Sequence, residues 1–352
     1  MKRDLQGLSK TVVQIVKTLP SRNRDIISRR FGLSNGRRET LESIGKSYGI
    51  TRERVRQIEE FTLNQLVGAV PNNKEIQKYV VQMKNLLHKE GGVMREKDIF
   101  RALSGTEQYN VANAALIFLL SLTKDIVRGE ENDRHHAFWA LDRKEKEAFH
   151  EGTASLVDAL KKNQKVVSWD KLPEFVVRTN VVTGNGRDSS DKRLATFLSI
   201  SKDIDKNIFG EVGLASWPEI KPKGVRDKAY LIMKKEGKPR HFSEIAGLIN
   251  KAGFDNKKVN IQTVHNELIK DDRFVLVGRG MYALAEWGYK AGTVKDVLID
   301  ILKNSSRPLS RTALVAKVQN TRLVKENTVI LNLQDSDHFI KNPDGTYNLR
   351  KA

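Results

Sequence analysis

Not one of the 352 residues is a cysteine. Disulfides, thiolate zinc sites and cysteine nucleophiles are therefore excluded, and the composition fits a reducing compartment such as the cytoplasm. Long apolar runs are missing too. No stretch approaches the roughly 20 residues that a spanning helix needs, and the N-terminal MKRDLQGLSK has no apolar segment of the kind a signal peptide carries. No membrane partner is expected. Acidic side chains are scarce relative to basic ones: 43 Asp and Glu stand against 62 Lys and Arg, giving a formal net charge of +19 and a pI near 9.8. Such a surface selects a polyanion, and nucleic acid is the natural one. Hydrophobic residues are not scarce. At 39% of the chain, with 13 Phe and 4 Trp, they imply folded domains rather than a basic tail, and the length allows two to four of them.

The stretch TRERVRQIEE at residues 51–60 follows ETLESIGKSYGI and reads as the second half of a helix, turn, helix. Apolar residues fall at Leu41, Ile44, Tyr48, Ile50, Val55 and Ile58. Gly49 sits where a tight turn needs the left-handed conformation, and Gly45 is small enough to let two helices approach closely. Thr51 occupies an N-cap position, and Glu53 suits the positive end of the helix. With Val55 and Ile58 inward, Arg52, Glu53, Arg56 and Gln57 share the outward edge near the N-terminus, the end that enters a major groove in DNA-reading helices. Arg can grip guanine with two hydrogen bonds, Gln can do so with adenine, and Glu can accept from cytosine, each good pair giving about 1–3 kcal/mol of discrimination. The plainer alternative is a solvated face held by Glu53–Arg56 and Arg56–Glu60 ion pairs.

Residues 19–66, from LPSRNRDIISRRFGL through TLESIGKSYGI and TRERVRQIE, resemble region 4 of the primary bacterial sigma factors, the domain that binds the minus-35 promoter element. The resemblance implies that Arg52, Glu53 and Gln57 read bases and that Thr40, Leu41, Lys46 and Arg56 touch or approach phosphates. It also implies RNA polymerase as a partner, through the flap of the beta subunit. Two departures are visible. The family continues with a basic AKALRKLR-like run where this chain has EEFTLNQLVGAV, so one patch of phosphate contacts is expected to be missing. The sequence also begins where region 4 begins, so it is not expected to open a promoter alone.

The remaining chain repeats one plan about every 70 residues. An apolar helix ends in Lys, two further helices follow, and a hairpin closes on an aromatic and Leu. Leu87, Leu160, Met233 and Leu302 hold equivalent places in the first helices. The hairpins KDIVRGEENDRHHAFWAL, KDIDKNIFGEVGLASW, DRFVLVGRGMYAL and DHFIKNPDGTYNL carry turn residues between alternating apolar ones. Three helices and a hairpin make a winged helix. The expected fold is mainly α with small β-hairpins: a region 4-like helix-turn-helix at 1–70, then winged-helix-like units at 71–145, 146–222, 223–290 and 291–352. The third, KPRHFSEIAGLINKAGFDNKKVNIQTVHNELIKDDRFVLVGRGMYAL, resembles the HARE type of winged helix found in the delta subunit of some bacterial RNA polymerases. Its expected nucleic-acid surface is Asn260, Gln262, Thr263 and His265 with the wing residue Arg279. Joints are expected at 71–75 (PNNKE) and 217–224 (WPEIKPKG), and a mobile loop at 183–193 (TGNGRDSSDKR).

The chemistry-bearing patterns are sparse. Asp203 and Asp205 with Glu219-Ile220-Lys221 imitate the carboxylates and lysine of a Mg²⁺-dependent nuclease, but prolines on both sides place the triplet in a joint. His135 and His136 are adjacent in a wing expected to be solvated, and no carboxylate follows at ligand spacing. Gly278-Arg279-Gly280 lacks the helix that a phosphate cradle requires and reads as a turn. The aromatics at 138, 139, 282 and 347 are expected in cores. Together these features predict a cytoplasmic, non-enzymatic DNA-binding transcription factor with no cofactor and no catalytic or metal site, bound to double-stranded DNA and RNA polymerase. The alternatives are a delta-like polymerase accessory subunit that uses these modules as protein contacts and, less favoured, a DNA-processing nuclease.

Overall fold

A computed structural model describes residues 5–68, 73–178, 190–255, 257–289 and 292–350. Two compact units divide the chain, Met1–Ser216 and Trp217–Ala352. Helices dominate, and the described strands form four three-stranded antiparallel sheets.

The first unit opens with α1 (Leu5–Lys17), whose Leu8, Val12 and Val16 recur every four residues as a buried stripe. Then come α2 (Ser21–Phe31), α3 (Leu41–Tyr48) and α4 (Arg52–Val67). Of the joint expected at 71–75, residues 71 and 72 lie outside the described residues, and 74 and 75 instead begin a helix. Asn73 caps α5 (Lys74–Lys89) by accepting from the Glu75 and Ile76 amides at 3.1 and 3.2 Å. The hydrophobic core runs across this point. It takes Leu8, Val12, Phe31 and Leu66 from one side and Ile76, Met83 and Phe118 from the other.

β1 (Val93–Arg95), α6 (Glu96–Ser104), α7 (Val111–Ser121), β2 (Val127–Gly129) and β3 (Phe138–Ala140) complete the first winged unit, with sheet order β1-β3-β2. VANAALIFLLS is apolar on every side, so α7 can be stable only inside, and Asn113 to Leu120 are all buried. The second winged unit is α8 (Arg143–Asn163), β4 (Val167–Ser168), α9 (Leu172–Arg178), α10 (Ser190–Ile200), β5 (Ile204–Lys206) and β6 (Glu211–Leu214), ordered β4-β6-β5. Of the loop expected at 183–193, residues 183–189 lie outside the described residues, and Ser190 to Arg193 instead begin α10. Arg193 is buried. Its Nη1 donates to the Gly91 carbonyl at 2.7 Å and to Glu145 at 2.6 Å. The Thr196 hydroxyl donates to the Glu90 carbonyl at 3.0 Å.

The histidines of the first wing also depart from expectation. His135 is buried rather than solvated, because its amide and ring bond to Asn132 and the ring packs edge-on against Phe138. His150 lies 5.0 Å away, and burial holds its pKa below the usual imidazole range. Phe138, Trp139 and Tyr282 are buried as expected, and Tyr347 packs half-buried on its core.

The second unit repeats the order twice. First come α11 (Val225–Glu236), β7 (Arg240–His241), α12 (Phe242–Ala252), α13 (Ile261–Ile269), β8 (Phe274–Gly278) and β9 (Met281–Leu284). Then come α14 (Val294–Lys303), β10 (Leu309–Ser310), α15 (Arg311–Gln319), α16 (Glu326–Leu333), β11 (Phe339–Lys341) and β12 (Thr346–Leu349). Their sheets are ordered β7-β9-β8 and β10-β12-β11. In all four sheets the strand between the first two helices pairs with the last strand of the hairpin, which is winged-helix topology. Leu87, Leu160, Met233 and Leu302 are all buried in their cores. Backbone from the last winged unit covers the edge of β8: the Leu323 amide donates to the Val277 carbonyl at 3.1 Å, and Arg322 Nη2 to the Leu276 carbonyl at 2.8 Å. An edge strand left bare would invite pairing with another chain.

Candidate nucleic-acid interface

The helix-turn-helix is built by its caps and its glycines. The Thr40 hydroxyl accepts from the Ser43 amide at 3.1 Å at the start of α3, and Thr51 does the same for Arg54 at 3.2 Å at the start of α4. Gly49 closes α3 with φ +63°, the left-handed region that costs glycine nothing. At Gly45 a Cβ would stand 2.7 Å from the Ile50 carbonyl oxygen, so a side chain there would push the turn away from α3. Ile26, Ile44 and Val55 fill the space between the three helices, fully buried, with Leu41, Tyr48, Ile50 and Ile58 packed around them.

Burial of Val55 turns the opposite edge of α4 outward. Arg52, Glu53, Arg56 and Gln57 are all exposed there. Lys46 is exposed on α3 with a loose pairing to Glu42 at 3.6 Å, Thr40 is exposed at its cap, and Leu41 is half-buried. The edge is also laced with ion pairs. Arg56 reaches Glu53 at 2.8 Å and Glu60 at 3.0 Å, and the hydrogen bond from Arg56 holds the Glu53 pKa below the usual carboxylate range. Arg54 Nη1 donates to Gln57 Oε1 at 3.1 Å. The ion pairs expected on a solvated face form, and they lie on the same exposed edge. Exposed pairs of this kind contribute little to stability, so a ligand can displace them cheaply.

Past Gln57 the same edge changes character. Leu63 and Val67, seven residues beyond Arg56 and Glu60, pack on the core that holds α7, and Thr62 is buried against Asn23 at 3.1 Å. FTLNQLV is apolar at these places because the first winged unit docks there. The absence of a basic run thus has a packing reason.

In the second unit the residues singled out by sequence are placed unevenly. Asn260 caps α13 by accepting from the Gln262 amide at 2.8 Å, and Gln262 and Thr263 are exposed on it. Arg279 is exposed at the hairpin tip, a turn as the Gly-Arg-Gly pattern suggests. His265 differs. Its ring is half-buried, 4.4 Å from Phe242 and 6.1 Å from Tyr282. The same helix also exposes Ile261 and Ile269, and α16 exposes Leu331.

Elsewhere, Asp203 and Asp205 belong to the first unit and Glu219 and Lys221 to the second, where the intervening Ile220 is buried. Among the described residues, no three His, Asp or Glu side chains gather into a metal site, and no helix is long and apolar enough to cross a membrane.

Comparison with known proteins agrees with this geometry. Residues 15–66 match the family described as sigma-70, region 4. The RNA polymerase sigma factor SigA1 of Synechococcus elongatus is 39% identical over 82 residues, which is 23% of this chain and 18% of that protein. The chain thus spans less than a fifth of the length of this relative. The helix-turn-helix of α2 to α4, with the end of α1 before it, is the part of the chain that matches sigma-70 region 4.

Proposed function

We propose that the chain is a sequence-specific DNA-binding factor in bacterial transcription, reading a minus-35-like promoter element with α4 and working in contact with RNA polymerase. Arg52, Glu53 and Gln57 meet base edges, while Thr40, Leu41, Lys46 and Arg56 hold the flanking phosphates. The observation that carries this reading is the contrast along one helix: Val55 fully buried, and Arg52, Glu53, Arg56 and Gln57 all exposed at the capped N-terminal end. The net charge of +19 supplies the non-specific attraction, and the polar edge supplies the selection. Binding requires no bond-making chemistry, cofactor or metal.

Arg52→Ala is expected to weaken binding to the preferred duplex by about 1–3 kcal/mol and to flatten the preference at one base pair. Competition binding against single-base variants of the site measures both. An unchanged preference at every position would remove Arg52 from the reading set.

A second reading has its own observation. Ile261, Ile269 and Leu331 are 50%, 63% and 65% exposed on the third helices of the last two winged units, where a DNA-reading helix would carry polar groups. On this reading the third unit is a HARE-type module, and the second half of the chain contacts polymerase as the delta subunit's module does, while α4 reads DNA. Copurification of residues 217–352 with polymerase from nuclease-treated lysate would support it. Retention by random duplex alone would count against it.

A further inference from the structure

Along α4, Arg56 is followed on the same edge by Glu59 and Leu63, and there the edge ends in an open cleft of about 440 Å³. One wall is the helix-turn-helix, with Arg30, Arg38 and Glu59. The other is the first winged unit, with Lys124 from the turn after α7, Arg128 from β2 and Glu130 just beyond it, over a floor that includes Trp139. The charges do not cancel. Arg30 is paired with Glu59 at 3.2 Å, and Arg128 with Glu130 at 2.8 Å. The buried Glu96 is shared between Arg128 at 3.1 Å and Arg38 at 3.6 Å, and it also accepts from Trp139 Nε1 at 3.1 Å. Lys124 remains. It is exposed and has no carboxylate partner among the described residues, since its neighbour Asp125 is taken by Lys84 at 2.6 Å.

We propose that this cleft seats one backbone phosphate of the duplex that α4 reads, with Lys124 as the cation that neutralises it and Arg38 and Arg128 as flanking donors. The proposal rests on the groove reading of α4 and extends it. The first winged unit then supplies, from a different part of the chain, a phosphate contact just where the helix edge turns apolar and can supply none itself. Three features favour DNA over a free small anion. The cleft is a direct continuation of the reading edge, it is open along its length, and its surplus of one positive charge matches one phosphodiester.

The test is duplex binding by the full chain across a salt series, with sequence preference measured in parallel. Lys124→Ala should make the slope of log affinity against log salt shallower by about 0.9, the value for one phosphate contact, which is roughly eightfold weaker binding at 0.1 M salt. Its ratio of preferred to scrambled duplex should stay at the wild-type value. Glu130→Gln works in the opposite direction: removing one carboxylate from the cleft, while Arg128 keeps its pairing with Glu96, should steepen the slope and tighten binding. Neither side chain is in the core, so thermal unfolding should be unchanged. An unaltered slope in Lys124→Ala, with selectivity intact, overturns the cleft and leaves α4 as the reader. Stabilisation by inorganic phosphate that depends on Lys124, with no change in DNA slope, also overturns it, as a small-anion site. Failure of the groove reading shows separately, as a wild-type chain without any sequence preference.

Discussion

Replacing Phe118 with alanine should lower the stability of the first unit by about 3–5 kcal/mol, the range for truncating a fully buried phenylalanine. Phe118 is wholly buried, and its ring meets Phe31 edge-on at 5.2 Å. Phe31 is the last residue of α2, so the contact joins the region 4 domain to the all-apolar α7 of the first winged unit. The Tyr109 hydroxyl donates to the Phe31 carbonyl at 2.9 Å beside it, and the Arg38 guanidinium lies 4.1 Å over the Tyr109 ring. Removing the Phe118 ring leaves a cavity between two packed elements that cannot collapse independently. Denaturant titration reads the loss. Binding by the residual folded fraction should also show a weakened salt dependence if the winged unit no longer holds Lys124 beside α4. A cost under about 1 kcal/mol would mean that α7 does not complete the region 4 core.

Glu145→Ala should be comparably damaging, roughly 3–5 kcal/mol, for an electrostatic reason. Arg193 has a side chain only 6% exposed, and Glu145 is its only carboxylate partner among the described residues. Its Nε is buried without a hydrogen-bond partner, so the guanidinium is already incompletely satisfied. Deleting the carboxylate leaves a buried positive charge with one carbonyl, and the penalty is that of the unpaired ion rather than the worth of the pair. The double variant Glu145→Leu with Arg193→Met should recover most of the loss, since apolar side chains of similar volume remove both charges. Thermal unfolding of the two variants side by side decides the matter. A double variant no better than the single would show that Arg193 acts through shape, not charge.

How much of this was legible in the sequence depended on whether the signal was local. The helix-turn-helix was legible because its determinants sit next to one another: Gly45 and Gly49 at the turn, Thr51 at the cap, and Val55 and Ile58 fixing which edge faces out. The four closing hairpins were legible because turn residues such as Asn342-Pro343-Asp344-Gly345 announce themselves. The short strands β1, β4, β7 and β10 were not, being two or three residues long, too short for an alternating pattern. The stripe of Leu8, Val12 and Val16 in α1 is present in the sequence, but its partners on α7 lie about a hundred residues away. Arg193 was illegible in principle. It follows a run of Gly, Asn, Asp and Ser that reads as loop, and only its distant partners Glu145 and Gly91 explain its burial. The same holds for the candidate interface, where the exposed edge of α4 follows from periodicity, whereas Lys124 reaches it only through tertiary packing.

Selection of bound duplexes from a random pool by the full chain at a stated physiological salt concentration tests the central claim most directly. Region 4 reading predicts that the recovered sequences share one short word, and that repeating the selection with Arg52→Ala and Gln57→Ala erases separate positions of that word. Recovered sequences with no common word, at a salt concentration where the chain still binds duplex, would contradict the groove reading of α4.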